Sequence, residues 1–376
     1  MVNRVALGEI VEIFKGNKAP EVFDKPREDA RRYLQIEDLR PDAMPKYAID
    51  KDGTLATKND VLIAWDGANA GTAGFDLEGY IGSTLAILRP TKGNVYAPYF
   101  GYFLRSKFND IQKNTTGATI PHVSRDYLEN LQIPLPPLSE QKRIASLLAR
   151  ADRLRGLRRA AREQCDSLLQ SVFLEMFGDY LNKIECQFAD VLQIPLTNGF
   201  FEKNEKYGTG NPIVWVDNLY HTNIIDISAL RRVQVSEKEL EKYGVFDGDL
   251  LFTRSSLVAE GVGQANIVPK LEERTMFESH IIRARVDKTK INPYYALGLF
   301  RSQFGKSEIM KRAKTATMTT IGQDALYEFP CPIPPLALQE EFARVVARVE
   351  TLRARMDESA RQGEALFQSL LAESFG

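Results

Sequence analysis

The second half of this chain repeats the first at an offset of 198 residues, so that Pro134-Leu135-Pro136-Pro137-Leu138 falls on Pro332-Ile333-Pro334-Pro335-Leu336. The match continues past the prolines. Gln141 falls on Gln339, Ala149-Arg150 on Ala347-Arg348, Leu154-Arg155 on Leu352-Arg353, Leu168 on Leu366, and Phe177-Gly178 on Phe375-Gly376. Such a period is too long for a solenoid and suits a domain, so the chain reads as a domain plus an appended segment, made twice. A length of 376 residues agrees with two to three domains.

Each copy changes character at its proline cluster. Before it, short apolar runs are cut by turn residues. Gly8–Ile13, Asp60–Trp65 and Thr84–Leu88 read as strands, and Pro98–Phe108 as a helix. In the second copy Asp249–Arg254 answers the Asp60 strand, Ser279-His280 answers Ser83-Thr84, and Pro293-Tyr294-Tyr295 answers Pro98-Tyr99-Phe100. After the prolines comes a long helical pattern. Ile144, Leu147, Ala151, Leu154, Ala161, Leu168 and Val172 recur at spacings of three and four, with Arg158 and Cys165 as imperfect members; Phe342, Val345, Val349, Leu352, Met356, Leu366 and Leu370 hold the same register, weakened at Ser359 and Gly363. Ser139 is a suitable N-cap, which starts the first helix near Glu140, and Gly178 at the C′ position ends it.

A helix of about 37 residues is a rod of roughly 55 Å and needs a partner for its stripe. The chain holds one. The first helix carries eight basic and five acidic side chains from Glu140 to Met176, and the second five basic and seven acidic from Leu338 to Phe375. Opposite flanking charge sets partner choice in coiled coils. The expected fold is mixed α/β (α+β): two similar globular domains, residues 1–136 and 179–334, joined by two long antiparallel coiled-coil helices, residues 137–178 and 335–376, in a pseudo-twofold repeat. The alternative is that each helix packs on its own domain.

Composition sets limits on chemistry. Hydrophobic content of 44% supports real cores. Cys165, Cys186 and Cys331 are odd in number and scattered, which suits free thiols in a reducing cytoplasm. No export signal or membrane span is read. The three histidines, His122, His221 and His280, are far apart, and no Cys/His spacing suits zinc. A phosphate-binding loop and a nucleophile elbow are both missing from the sequence. A duplicated architecture without a catalytic set points to recognition.

The polar loops are then the candidates for contact with a partner. In the first domain they are Lys15-Gly16-Asn17-Lys18, Trp65-Asp66-Gly67-Ala68-Asn69, Lys113-Asn114-Thr115-Thr116, and the stretch from Thr119 through His122 to Ser124. In the second, Thr253-Arg254-Ser255-Ser256 falls where Trp65 fell, and Lys311-Arg312-Ala313-Lys314-Thr315 where Lys113 fell, with Thr317 beyond. Arg254, a cation at the end of a strand, is the best single candidate. Competing readings stand beside these. Trp65 suits a core or lid position, His122 a hydrogen-bonding loop position, and Lys311, Arg312 and Lys314 a solvated helix end. Tyr33, Tyr207, Trp215 and Tyr294-Tyr295 read as packing.

Two variable domains, each followed by Pro-x-Pro-Pro-Leu-x-x-Gln and a long helix, resemble the specificity subunit of type I restriction-modification systems. The stretch Ile133–Ile144 is similar to that family's helix-start motif, and Gly117-Ala118-Thr119-Ile120-Pro121-His122-Val123 resembles the loop before it. The second copy departs at Ala337-Leu338 and at Thr317-Met318-Thr319-Thr320. The resemblance implies a non-catalytic subunit, without a cofactor of its own, that reads a split site on double-stranded DNA, one half-site per domain. It implies two methyltransferase subunits as partners, which carry S-adenosylmethionine, and two motor-nuclease subunits that can join. Two other classes stay open on the residues alone: a coiled-coil adaptor without DNA readout, and a nucleic-acid enzyme with an unrecognised site.

Overall fold

The computed structural model describes residues 3–40, 44–117, 119–184, 186–201, 207–220, 223–258, 261–315 and 317–376; His221 and Ala118 lie outside them. The chain divides into two compact units. Unit 1 comprises Met1–Arg159 with Glu358–Gly376, and unit 2 comprises Ala160–Asp357. Neither unit equals a globular domain alone, because each also takes part of both long helices.

Unit 1 is built on an antiparallel sheet whose strands lie in the order Val11–Lys15, Leu85–Pro90, Val61–Ala64, Ala73–Phe75. The expected strand at Gly8–Ile13 forms later, because Leu7–Glu9 turns as a 3₁₀ helix first. Val61–Ala64 is buried on both faces, so its run is continuously apolar rather than alternating. One face packs on the helix Ala97–Ser106; the other packs on Leu34, Leu39 and Ile81. Asp60, 2% exposed, opens the central strand. Arg89 from the next strand clamps it with two bonds of 2.9 Å, and the backbone N–H and hydroxyl of Thr57 donate to it. Burial opposes its ionisation, but these donors win and hold the carboxyl below the usual carboxylate range.

Unit 2 has a sheet of the same strand order: Thr197–Asn198, Ile281–Ala284, Leu250–Thr253, Ala265–Ile267. Asp249 takes the place of Asp60, with Arg285 donating to both its oxygens at 2.7 Å. A three-stranded ribbon, Ser255–Ser256, Thr319–Thr320 and Lys314–Thr315, stands at the end of this sheet.

The proline motif has a physical reason. A Pro-Pro segment makes no internal hydrogen bonds, so its carbonyls need outside donors. Gln141, fully buried, donates to the carbonyls of Pro136 and Asn94 at 2.8 Å and accepts from the Tyr96 N–H at 2.9 Å. The Tyr99 hydroxyl donates to Pro134 at 2.8 Å, and burial pushes that phenol up to about 12. In unit 2 Gln339 donates to Pro334 at 2.7 Å and accepts from the Asn292 N–H at 2.8 Å, while Tyr295 donates to Pro332 at 2.8 Å. Tyr295 packs and anchors at once.

The long helices span Leu138–Phe177 and Leu336–Phe375, each of 40 residues. The first begins two residues before Glu140, with Pro137 O accepting from Glu140 N and Gln141 N, so Ser139 lies inside the first turn rather than at the cap. It ends at Phe177 as expected, but Gly178 is not left-handed; a 3₁₀ turn over Gly178–Tyr180 follows.

Within unit 1 the helix segments run in opposite directions: Arg155 pairs with Glu364 at 2.5 Å, and Arg158 donates to Ser359 O at 2.6 Å. Within unit 2 Arg162 pairs with Asp357 at 3.1 Å, and Phe173 meets Phe342 at 5.4 Å between ring centroids. The inward stripe keeps Ala151, Phe342 and Val349 of the expected one, all buried, and departs from it elsewhere. Leu147, Leu154, Leu168, Leu352 and Leu366 are 42–56% exposed, whereas Leu148, Leu169, Val346, Phe367 and Leu371 are buried. Apolar residues stand side by side at Leu147-Leu148, Leu168-Leu169 and Leu366-Phe367. Two adjacent stripes have the same period, and the buried one must serve both the partner helix and the globular domain. Phe375 shows the result, 1% exposed, with its ring tilted against Tyr99 at 5.1 Å and edge-on to Phe103 at 5.7 Å between centroids. No described helix is long and apolar enough to cross a membrane.

Candidate nucleic-acid interface

In each unit the central strand runs out into a loop that is held by the same backbone hydrogen bonds. In unit 1 the Trp65 N–H donates to Thr84 O at 2.8 Å, and the Val123 N–H donates to Trp65 O at 2.9 Å. In unit 2 the Arg254 N–H donates to His280 O at 2.8 Å, and the Ile321 N–H donates to Arg254 O at 2.9 Å. Trp65 and Arg254 therefore occupy one position of one frame. The residues that follow pair across the next loop in both units, Asp66 with His122 and Ser255 with Thr320.

The side chains on this frame differ. Trp65 is 7% exposed and belongs to the unit 1 core, so the core reading holds and it does not offer its ring as a contact face. A large ring at the end of a fully buried strand gains more from burial than it would at the surface. Arg254 is exposed. Asp66 is a hub: His122 Nδ1 lies 2.6 Å from one of its oxygens and Lys15 Nζ 3.7 Å from the other, with Lys15 also 5.4 Å from the Trp65 ring centroid. Lys15, Trp65, Asp66 and His122, from three separate stretches of sequence, thus meet in one place. Asn69 lies in the same loop and bonds the Arg40 guanidinium. Gln112 ties the neighbouring loop in by donating to Ala68 O at 3.2 Å.

Other candidates fall outside the cluster. Asn17 and Lys18 are exposed, and the Asn17 carbonyl accepts from the Tyr33 hydroxyl at 3.3 Å. Lys113 is exposed at the end of a short helix, Phe108–Lys113, and Thr119 is exposed in the loop before His122. Ser124 caps the helix Arg125–Asn130 by accepting from the Tyr127 N–H at 3.3 Å, which is a structural duty.

In unit 2 Ser255, Lys314 and Thr317 stand on or beside the ribbon; Lys314 and Thr317 are exposed and Ser255 half-buried. Ser256 is 7% exposed and its hydroxyl accepts from the Val258 N–H at 3.2 Å, so it shapes the turn instead of facing outward. Lys311 and Arg312 both bind Glu308 on their own helix, at 2.5 and 2.8 Å, and hold its carboxyl below the usual range. That agrees with the helix-end reading for these two.

His280, exposed beside Arg254, lies outside the polar loops that the sequence singles out. Its Nδ1 and its backbone N–H both lie 2.9 Å from Oε2 of Glu278, a carboxylate 2% exposed. The signal was present in the unit alignment, which sets His280 on Thr84, the residue whose carbonyl holds the Trp65 loop. Among the described residues no group of three or more His, Cys, Asp or Glu could hold a metal ion.

The comparisons with known proteins fit this architecture. Residues 2–164 match the model of the type I restriction modification DNA specificity domain. The MjaVIII specificity subunit of Methanocaldococcus jannaschii is 25% identical over 370 residues, covering 93% of this chain and 86% of that protein. The EcoKI specificity subunit of Escherichia coli is 26% identical over 366 residues, covering 88% of this chain and 77% of that protein. The crystal structure of the S subunit of a type I restriction-modification system from M. genitalium matches with a TM-score of 0.57 at 14% identity, over 100% of this chain and 96% of that one. A structure from a study of complex assembly in the type I system matches with the same TM-score of 0.57 at 19% identity. The duplicated Pro-Pro-Leu-x-x-Gln helix start and the two sheets of one strand order accompany these matches: residues 2–164 match the type I restriction modification DNA specificity domain, and most of the chain is similar to type I specificity subunits.

Proposed function

We propose that the chain is the non-catalytic DNA-specificity subunit of a type I complex, reading a split site with one target-recognition domain per half-site. The domains are residues 1–136 and 179–334, and the spacers are 137–178 and 335–376, paired as an antiparallel coiled coil. The observation that carries this reading is the shared loop frame. The same backbone bonds hold Trp65, Asp66 and His122 in one unit and Arg254, Ser255 and Thr320 in the other. A frame kept while its side chains change suits two readers of two different sequences, since phosphate contacts position a reader and base contacts specify. A net charge of −1 means that local faces and partners must supply the attraction for DNA.

The test is selection from random duplex DNA by the full-length chain, alone and with its methyltransferase partner. A split motif is expected. Arg254→Ala should weaken only the second half-site, by about 1–3 kcal/mol if the side chain reads a base. Equal loss of preference in both half-sites would overturn the assignment.

The exposed leucines support two methyltransferase partners. Leu154 and Leu352 correspond at the repeat offset, as do Leu168 and Leu366, and their exposures are 51, 46, 49 and 56%. Unit 1 carries Leu154 and Leu366; unit 2 carries Leu352 and Leu168. Each unit thus offers the same leucine pair on helix surface, an apolar feature that calls for a cover. In the purified complex, Leu154→Asp with Leu366→Asp should reduce a 2:1 assembly to 1:1 by measured mass. S-adenosylmethionine belongs to those partners, and motor-nuclease subunits join the same assembly. Three cysteines, odd in number and scattered along the chain, suit a reducing cytoplasm.

A further inference from the structure

His122 and His280 share an arrangement that their surroundings build separately. Each has its Nδ1 on a carboxylate, His122 on Asp66 at 2.6 Å and His280 on Glu278 at 2.9 Å, while the side chains stay 47% and 57% exposed. A carboxylate only accepts, so in a neutral ring the proton sits on Nδ1 and Nε2 keeps its lone pair. The backbone fixes the first ring further. The His122 N–H and carbonyl exchange bonds of 2.7 and 2.8 Å with Thr116, and the Gly67 N–H donates to Pro121 O at 2.9 Å. Gly117 is left-handed at φ 95°, and a Cβ there would meet Ile120 O at 2.4 Å and His122 Cδ2 at 2.9 Å. Only glycine leaves the imidazole its place. Such a ring loses little freedom on contact, which is what a reader needs.

We infer that His122 and His280 each offer Nε2 as an acceptor to the amino group of adenine or cytosine in the major groove, one in each half-site. This rests on the DNA reading proposed above. In that groove only adenine N6 and cytosine N4 present donors, whereas guanine O6 and thymine O4 accept. Each half-site therefore holds a position where an amino-bearing base is favoured. Asp66 and Glu278 are positioning residues that set which ring nitrogen carries the proton.

The two carboxylates respond differently to amidation. Lys15 Nζ lies 3.7 Å from the second Asp66 oxygen. In Asp66→Asn the amide turns its oxygen to that cation and its NH₂ to His122 Nδ1. Nδ1 then accepts, the proton moves to Nε2, and the ring becomes a donor. Glu278 instead has one oxygen that accepts both from the His280 N–H and from Nδ1, so Glu278→Gln keeps its oxygen there and the ring stays an acceptor.

The experiment is selection from a random duplex library at pH 8 by the full-length chain and four variants. His122→Ala should flatten one position of the first half-site, and His280→Ala one position of the second, each by about fivefold in base ratio, the value of one net hydrogen bond. Asp66→Asn should swap its position from adenine or cytosine to guanine or thymine. Glu278→Gln should keep its position unchanged. A wild type that selects no split motif overturns the functional reading and this inference with it. A split motif that survives His122→Ala and His280→Ala unaltered overturns the inference alone. Flattening without a swap in Asp66→Asn, in a variant of wild-type thermal stability, overturns the proton assignment.

Discussion

Replacing Gln141 with Met tests whether one buried amide docks the first long helix onto its domain. Methionine matches the side chain in length and fills the same space, so the change removes bonds rather than volume. Three partners are left: the Tyr96 N–H and the carbonyls of Asn94 and Pro136, all now within 2.9 Å of the amide. A fully buried site gives water no access. Each net hydrogen bond is worth about 1 kcal/mol, and a buried group left unpaired costs about 1–3 kcal/mol, so the loss should be about 3–5 kcal/mol. Gln339→Met, which loses two such bonds, should cost less. Because two units need not unfold together, the readout is hydrogen exchange along urea titration, followed at the Tyr96 amide and through the helix Ala97–Ser106. Full protection of Tyr96 in Gln141→Met, with stability within about 0.5 kcal/mol of the parent, would refute the clamp.

Three further outcomes are expected. Phe375→Ala should destabilise unit 1 by about 3–5 kcal/mol in chemical unfolding, since it empties the ring contacts with Tyr99 and Phe103. The ionised Asp60 stabilises the fold because its folded pKa lies below its unfolded value; that contribution is full above about pH 4 and is lost as pH falls through the folded value. The gap in stability between the parent and Asp60→Asn should therefore narrow in acid denaturation below about pH 4, and a gap independent of pH would contradict the Arg89 clamp. Inserting seven residues in each long helix keeps the heptad register and adds roughly 10 Å, so the unread gap in selected DNA should grow by about three base pairs.

Much of this was legible in the sequence because it depends on local chemistry. Pro136-Pro137 must stop a chain from entering a helix, and the same cluster at Pro334-Pro335 marked the second start. The excess of arginine on the first helix and of acid on the second shows up as the Arg155–Glu364 and Arg162–Asp357 pairs. What failed to show depends on tertiary competition. Leu147 and Leu148 have equal claims on the inside until the globular domain takes one of them. Trp65 and Arg254 share a backbone position, yet one ring is swallowed by a core and the other side chain stands in solvent. Ser256 looked like a loop reader by type but closes a turn. His280 had only its repeat position opposite Thr84 to mark it, because its partner, Glu278, is a charge that only a folded sheet could bury.

The division of the chain also fixes the order in which its parts can be finished during synthesis. Unit 2 is one continuous stretch, 160–357, whereas the unit 1 core includes Phe367, Leu371 and Phe375. A ribosome that has made the whole of the first domain has not yet made the residues that cover Tyr99 and Phe103. Unit 2, although it begins later, has all of its residues first. The nascent first domain must carry an open apolar groove for about two hundred further residues, or roughly 10–40 s at common elongation rates. Residues 358–376 are then what closes a domain made about two hundred residues earlier.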